Sequence, residues 1–223
     1  MIRFKKSGNK ILLIYISDLI RKICGGDRIK RISKTVINIS QKISKKHKKK
    51  IFILDFGCGS MEVSKKLQKK KFVKGIIGTD IFEYSYENKN MKYIETKKLF
   101  KSNPKKFDII IAIDVLHHMG VHNSHKILEK LSKISNYILI KDHFEYGFFS
   151  RHLLRFVDFY ANYAYDVVIP DRYFNKKLWL NTVKKASLKE TLRIENFQQH
   201  DGVFNLILNK RHHFISLLKN EKK

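Results

Sequence analysis

An apolar run, Ile51-Phe52-Ile53-Leu54, leads directly into Asp55-Phe56-Gly57-Cys58-Gly59-Ser60 and from there into a helical pattern. No other stretch constrains the fold as much. Glycines at 57 and 59 let the backbone turn tightly and let a ligand approach where no Cβ stands in the way. The helix behind them presents unsatisfied N–H groups to polar or anionic ligand atoms. Residues 51–55, 76–80, 91–95, 109–114 and 137–141 read as strands, with helical stretches near 61–70 and 122–135 separating some of them. A run such as Phe107-Asp108-Ile109-Ile110-Ile111-Ala112-Ile113 requires a parallel sheet covered on both faces. The alternation predicts an α/β, Rossmann-like, doubly wound sheet with right-handed crossovers.

The flanks read differently. Leu12, Ile16, Leu19 and Ile23 fall on one helical stripe, with Cys24-Gly25-Gly26 as a stop and Asp27 as the N-cap of a second helix. In that second helix Ile29, Ile32, Val36, Ile39 and Ile43 repeat at helical spacing. Residues 1–45 are therefore expected to form a helical cap packed on a main domain of residues 46–223, with 45–50 as a solvated connector. Beyond residue 141 a helical, aromatic-rich segment is expected, and residues 142–187 read as a lid-like insertion. The chain is expected to close with a β-hairpin of 191–198 and 203–209, turning at Asp201-Gly202.

The chain's 223 residues suit one α/β domain with additions. Two cysteines exclude a disulfide framework and a four-cysteine zinc site, and no metal ligand set is assigned. Forty-seven basic against twenty acidic residues give a net charge of +27, which would suit an anionic partner. Lysine far outnumbers arginine, however, although arginine fits phosphate better. The accompanying Ile, Asn, Phe and Tyr are what AT-rich codons supply. The charge is read as compositional drift, with weak, nonspecific binding to nucleic acid or an anionic membrane. The apolar stretch 11–23 is interrupted by Asp18, Arg21 and Lys22 and is too short to span a bilayer. A cytoplasmic location is expected, with the membrane periphery as the alternative.

Three further features converge on the glycine loop. Asp80 ends the second strand about twenty residues past it, where an acid can accept both ribose hydroxyls of a nucleoside cofactor. Ile81 can cover an adenine face. The fourth strand ends in Asp114-Val115-Leu116-His117-His118-Met119, on the side where such folds bind ligands. In combination, Leu-Asp-Phe-Gly-Cys-Gly-Ser at 54–60, Gly-Thr-Asp-Ile at 78–81, residues 107–119 and Tyr-Ile-Leu-Ile-Lys-Asp-His at 137–143 resemble the class I S-adenosylmethionine-dependent methyltransferases, with the subgroup open.

That resemblance covers roughly residues 50–143. It implies a seven-stranded sheet ending in an antiparallel hairpin, with S-adenosylmethionine as cofactor. Asp55, Gly57 and Gly59 would shape the methionine-side pocket, Asp80 would take the ribose, and Ile81 and Glu95 would border adenine. Asp114 and Val115 would lie beside the methionine portion. One departure is Met61, which stands where a third glycine is common. The acceptor is expected to be a small or lipid-like molecule. His143, just past the fifth strand, is the first candidate base and His118 the second; Asp142 is expected on the opposite face of the chain from His143. An RNA methyltransferase using the basic surface is the alternative, although no Asn/Asp-Pro-Pro-Tyr/Phe motif follows the fourth strand. A nonenzymatic membrane- or partner-binding protein that kept the fold is the other. A nicotinamide dinucleotide site fits less well, because the third glycine is lacking.

Overall fold

The computed structural model describes residues 11–81, 87–88, 90–101, 107–162, 167–201, 205–206 and 208–221, with side chains of the first helix described chiefly from Asp27 onward. Helix α1 (Ile11–His47) is followed by β1 (Ile51–Phe56), α2 (Glu62–Leu67) and β2 (Val73–Asp80). The short edge strand β3 (Glu87–Asn88), β4 (Met91–Glu95), α3 (Thr96–Lys101) and β5 (Phe107–Ile113) come next. Then follow α4 (Ser124–Ile134), β6 (Ser135–His143), α5 (Phe148–Asn162), α6 (Lys176–Lys185), β7 (Leu188–Ile194) and β8 (His213–Asn220). The strands form one sheet in the order β3-β4-β2-β1-β5-β6-β8-β7. From β4 to β6 the pairings are parallel, whereas β8 runs antiparallel to both β6 and β7. Seven strands thus make a doubly wound sheet with a C-terminal antiparallel pair, and two-residue β3 is added at one edge.

Strand alternation sorts the Ile-rich runs onto two buried faces. Leu54, Ile110, Ala112, Ile138 and Ile140 meet α4 and α6 on one face, through Leu128, Leu131, Trp179 and Val183. Ile53, Ile109, Ile111 and Leu139 meet α1 and α2 on the other, through Ile32, Val36, Ile39, Ile43, Val63 and Leu67. This two-sided burial is why the central strands carry almost no polar residues.

Two flanking expectations are corrected. The N-terminal segment is one helix, not two, and Gly25, Gly26 and Asp27 lie within it. A glycine inside a helix costs only about 1 kcal/mol relative to alanine, which a long apolar stripe packed on a sheet can exceed. Lys45, Lys46 and His47 form the last turn of α1, where positive charge faces the negative end of the helix dipole, so the expected connector begins only after them. The second correction concerns the hairpin. Its strands are β7 and β8, and the span proposed at 203–209 contains no strand among its described residues; Gly202 lies outside them. The apolar run Phe214-Ile215-Ser216-Leu217-Leu218 is buried between β6 and β7. Burial of that run, not the Asp-Gly pair, sets the position of the last strand.

Candidate active site

The carboxyl ends of β1, β2, β4, β5 and β6 line one edge of the sheet, and nearly every residue singled out from the sequence lies there. At the end of β1 the chain enters positive φ at Gly57 (69°), Gly59 (49°) and Met61 (60°). The amides of Gly57 and Cys58 both donate to the Thr79 carbonyl, at 2.8 and 3.0 Å, which ties the loop to β2. A Cβ on Gly57 would come within 2.4 Å of Val115 Cγ2, so Val115 acts as a wall of the loop. At Gly59 a Cβ would meet nothing within 4 Å. The backbone there faces open space at a φ that favours glycine, which is the form of a cradle for a ligand. Met61 turns inward instead: it is buried, and it occupies with Cys58 the space that a Cβ on Gly78 would need. The departure from a third glycine is thus matched by Gly78.

Asp80 closes the cradle. Its Oδ2 accepts from the Gly59 amide at 2.8 Å and its Oδ1 from the Ile81 amide at 2.7 Å. Each carboxylate oxygen has further lone-pair capacity for a hydroxyl donor. Ile81 is 73% exposed beside it, so its apolar face is available to a flat ligand ring. Glu95 pairs with Asp80 in strand register and holds Lys98 at 2.6 Å.

Asp55 lies beneath the loop, buried, with Ser64 Oγ donating to its carboxylate at 2.6 Å. Burial pushes its pKa up to about 7, against the Ser64 hydrogen bond and with help from the charge of Asp80. The protonated form is thereby favoured in the fold, so its contribution to stability is complete below about pH 4 and is lost as pH rises through about 7. The loss amounts to about 4 kcal/mol. Urea unfolding at a series of pH values is expected to show that decline in the wild type and its absence in Asp55→Asn, which still offers Ser64 an acceptor. Parallel profiles for the two proteins would contradict it.

The end of β6 carries two polar clusters, one on each face, because Lys141 and His143 alternate with Asp142. On the α1 side, Asp114 (φ 54°) accepts from Lys141 Nζ at 2.6 Å and from Arg28 of α1, and it lies 3.1 Å from His143 Nε2. Burial alone would raise the Asp114 pKa, but Lys141, His143 and Arg28 together hold it well below the carboxylate range. The carboxylate placed beside the methionine portion by resemblance is therefore already surrounded by cations, one of them from a helix far away in sequence. His143 has both ring nitrogens engaged: Nε2 with Asp114, and Nδ1 with His213 Nδ1 at 3.0 Å. Burial and the nearby Lys141 charge lower its pKa.

On the other face, Asp142 Oδ1 accepts from His117 Nδ1 at 2.6 Å. His117 Nε2 faces Asp158 Oδ2 of α5 at 3.4 Å, and the Tyr173 hydroxyl donates to that same Asp158 oxygen. Burial would lower the His117 pKa; Asp142 and Asp158 overcome it and push the value up to about 10. The sequence pointed to His118 and gave His117 no role, since its partners are remote in sequence. His118 Nδ1 donates to the Val168 carbonyl at 2.8 Å, so its Nε2 carries the lone pair. Burial and the His117 charge lower the pKa of His118. The one described free cysteine, Cys58, is held as a neutral thiol, because burial pushes its pKa up.

A concavity of about 860 Å³ lies at the opposite, amino-terminal edge of the strands, where Lys49, Lys50, Lys74 and Lys92 line it. It is remote from every group described above. Among the described residues no helix is long and apolar enough to cross a membrane.

Comparison with known proteins agrees with this arrangement. A family model described as a methyltransferase domain matches residues 27–201. The plantazolicin methyltransferase BpumL, solved with a monoazolic desmethylPZN analog and SAH, is similar with a TM-score of 0.63 at 15% identity, over 93% of this chain and 89% of that one. The methyltransferase domain of bacterial CtHen1 gives 0.57 at 10% identity, over 85% and 98%. A chain of the Haloferax volcanii complex between the Trm112 methyltransferase activator and a methyltransferase gives 0.55 at 9%, over 83% and 92%. No curated protein matches the sequence.

Proposed function

The chain belongs to the methyltransferase domain family, with S-adenosylmethionine as cofactor, and from that premise we propose that it methylates a small-molecule or lipid-like acceptor. The observation that carries the acceptor class is the roof over the β6 end. The Glu145 amide donates to the Phe174 carbonyl at 2.7 Å, the Tyr173 amide donates to Glu145 Oε2 at 3.0 Å, and Arg151 grips Glu145 through two nitrogens. Together with the Val168–His118 and Tyr173–Asp158 contacts, these bonds support the reading of residues 142–187 as a lid over the strand ends, and the Arg28–Asp114 contact supports the reading of residues 1–45 as a cap on the methionine side. Such a roof supports an acceptor small enough to be enclosed.

The cofactor supplies an electrophilic methyl group at a sulfonium. Asp80 would hold the ribose, Ile81 and Glu95 would border the adenine, and Gly57, Gly59 and Val115 would give the methionine portion its channel. Alignment and exclusion of water are then the main contributions of the protein. The acceptor is activated at His118, the crevice imidazole whose Nε2 lone pair has no hydrogen-bond partner among the described residues. His143 positions Asp114 and thereby the α1 side of the crevice.

The RNA reading is less well supported. The lysine-lined concavity sits at the amino-terminal edge of the sheet, so an RNA held there would not present its bases to the crevice. Incubation with methyl-labelled S-adenosylmethionine and separate lipid, small-molecule and RNA fractions tests the proposal. Label is expected in a lipid or small-molecule fraction; label in RNA alone would overturn the acceptor class.

A further inference from the structure

We infer that His117, His118 and Asp158 form a binding site for a divalent transition ion of the zinc class, at the corner where the acceptor is activated. The site's part in methyl transfer rests on the reading above; its existence does not.

The first observation is an orphaned nitrogen. His117 Nε2 is fully buried and makes no hydrogen bond among the described residues. It faces Asp158 Oδ2 at 3.4 Å, which is long for an N–H···O bond. Two ligands each about 2.0–2.2 Å from one tetrahedral ion would stand about 3.3–3.6 Å apart, which this separation fits. His118 belongs to the same group, since one ligand atom from each of the three residues lies within 4.8 Å of the others.

The second observation is the outer partners. Histidines that bind metal present one nitrogen to the ion and donate the other N–H to a carboxylate or carbonyl. Both arrangements occur here: His117 Nδ1 is held by Asp142 at 2.6 Å and His118 Nδ1 by the Val168 carbonyl at 2.8 Å. In each ring Nε2 is the nitrogen left for an ion, and that of His117 faces Asp158. Asp158 is oriented in turn by the Tyr173 hydroxyl. A protonated His117 offers one positive charge to the two buried carboxylates Asp142 and Asp158, whereas a divalent ion in place of its Nε2 proton would balance both.

The donor set is two imidazoles and one carboxylate, with no thiolate. That combination suits zinc, cobalt, manganese or ferrous ions better than magnesium or calcium, which prefer all-oxygen sites. Three protein ligands leave at least one coordination position for water or an acceptor oxygen. With the ion bound, His118 would activate the acceptor as a ligand and not as a free base: an acceptor hydroxyl on the ion would lose its proton to water more readily. The ion would also fasten α5 to the end of β5, joining lid to floor.

Titration of Co²⁺ into the full-length, EDTA-dialysed protein tests the site, because a low-symmetry N/O site gives visible ligand-field absorption. One equivalent is expected to bind and to be displaced by Zn²⁺. Asp158→Asn and His118→Ala are each expected to weaken Co²⁺ binding by ~100-fold or more, while His122→Ala, outside the cluster, leaves it unchanged. Retained SAH binding in the variants shows that they fold. No absorption with the wild type, or unchanged Co²⁺ affinity in Asp158→Asn, would overturn the site and leave His117 as an imidazolium between two carboxylates. Full methyl transfer by the EDTA-dialysed protein would overturn its role in activation. A wild type that binds Co²⁺ but transfers no methyl group would sink the methyltransferase reading and leave the metal site standing.

Discussion

Asp114→Asn is expected to destabilise the fold by about 3–5 kcal/mol, the cost of leaving a buried ion without its partner. The substitution removes the one charge that Lys141, Arg28 and His143 share. Lys141 is the critical partner: it is 1% exposed, at the end of a central strand, so bulk solvent cannot take the place of the lost carboxylate. Arg28 is part-exposed and can turn outward, so its loss of pairing costs less. Urea unfolding measures the effect. A Lys141→Met change in the Asp114→Asn background removes the orphaned ammonium and is expected to recover part of the stability, a non-additivity that marks direct coupling. A single variant within about 0.5 kcal/mol of wild type, the range of an ordinary surface change, would contradict the pairing.

His118→Ala is expected to lower kcat by about 10²–10⁴-fold, the usual contribution of a group that handles the acceptor's proton. Cofactor affinity should stay near that of the wild type, because the cradle is built from β1, β2 and β4 and His118 belongs to the corner past β5. His143→Ala makes the contrast. Both His143 nitrogens are committed to Asp114 and His213, so its loss should act mainly on stability and only modestly on kcat. Paired measurements of kcat and unfolding free energy separate the two. A fall in kcat confined to His143→Ala would reverse the assignment.

The strands and the glycine loop were legible because local rules dictate them. A two-sided parallel sheet needs continuous apolar runs, and a strand that turns sharply into a helix needs glycine. Asp80 was legible for the same reason, as a strand-end acid at a set distance from the loop. What escaped the sequence depends on remote partners. Whether Gly25-Gly26 ends a helix is decided by packing between α1 and the sheet, and the place of β8 is decided by burial between two other strands. Asp114, expected beside the methionine portion, is reached by Arg28, 86 residues away. His143, the first candidate base, has its second nitrogen engaged by His213, 70 residues away. Asp142 was rightly placed on the other face from the His143 ring, but its partner His117 could be found only in three dimensions. A usable signal did exist: three consecutive ionisable residues, Lys141-Asp142-His143, at the end of a strand in a two-sided sheet must find partners on both faces.

The central claim is that the cradle between Gly59 and Asp80 binds S-adenosylmethionine. Calorimetric titration of S-adenosylmethionine into the wild type and into Asp80→Ala tests it most directly. The wild type is expected to bind one equivalent, and Asp80→Ala to bind about 1–3 kcal/mol more weakly while remaining folded, the scale of hydrogen bonds lost to a charged group. No binding by the wild type, or equal affinity in the folded variant, would contradict it.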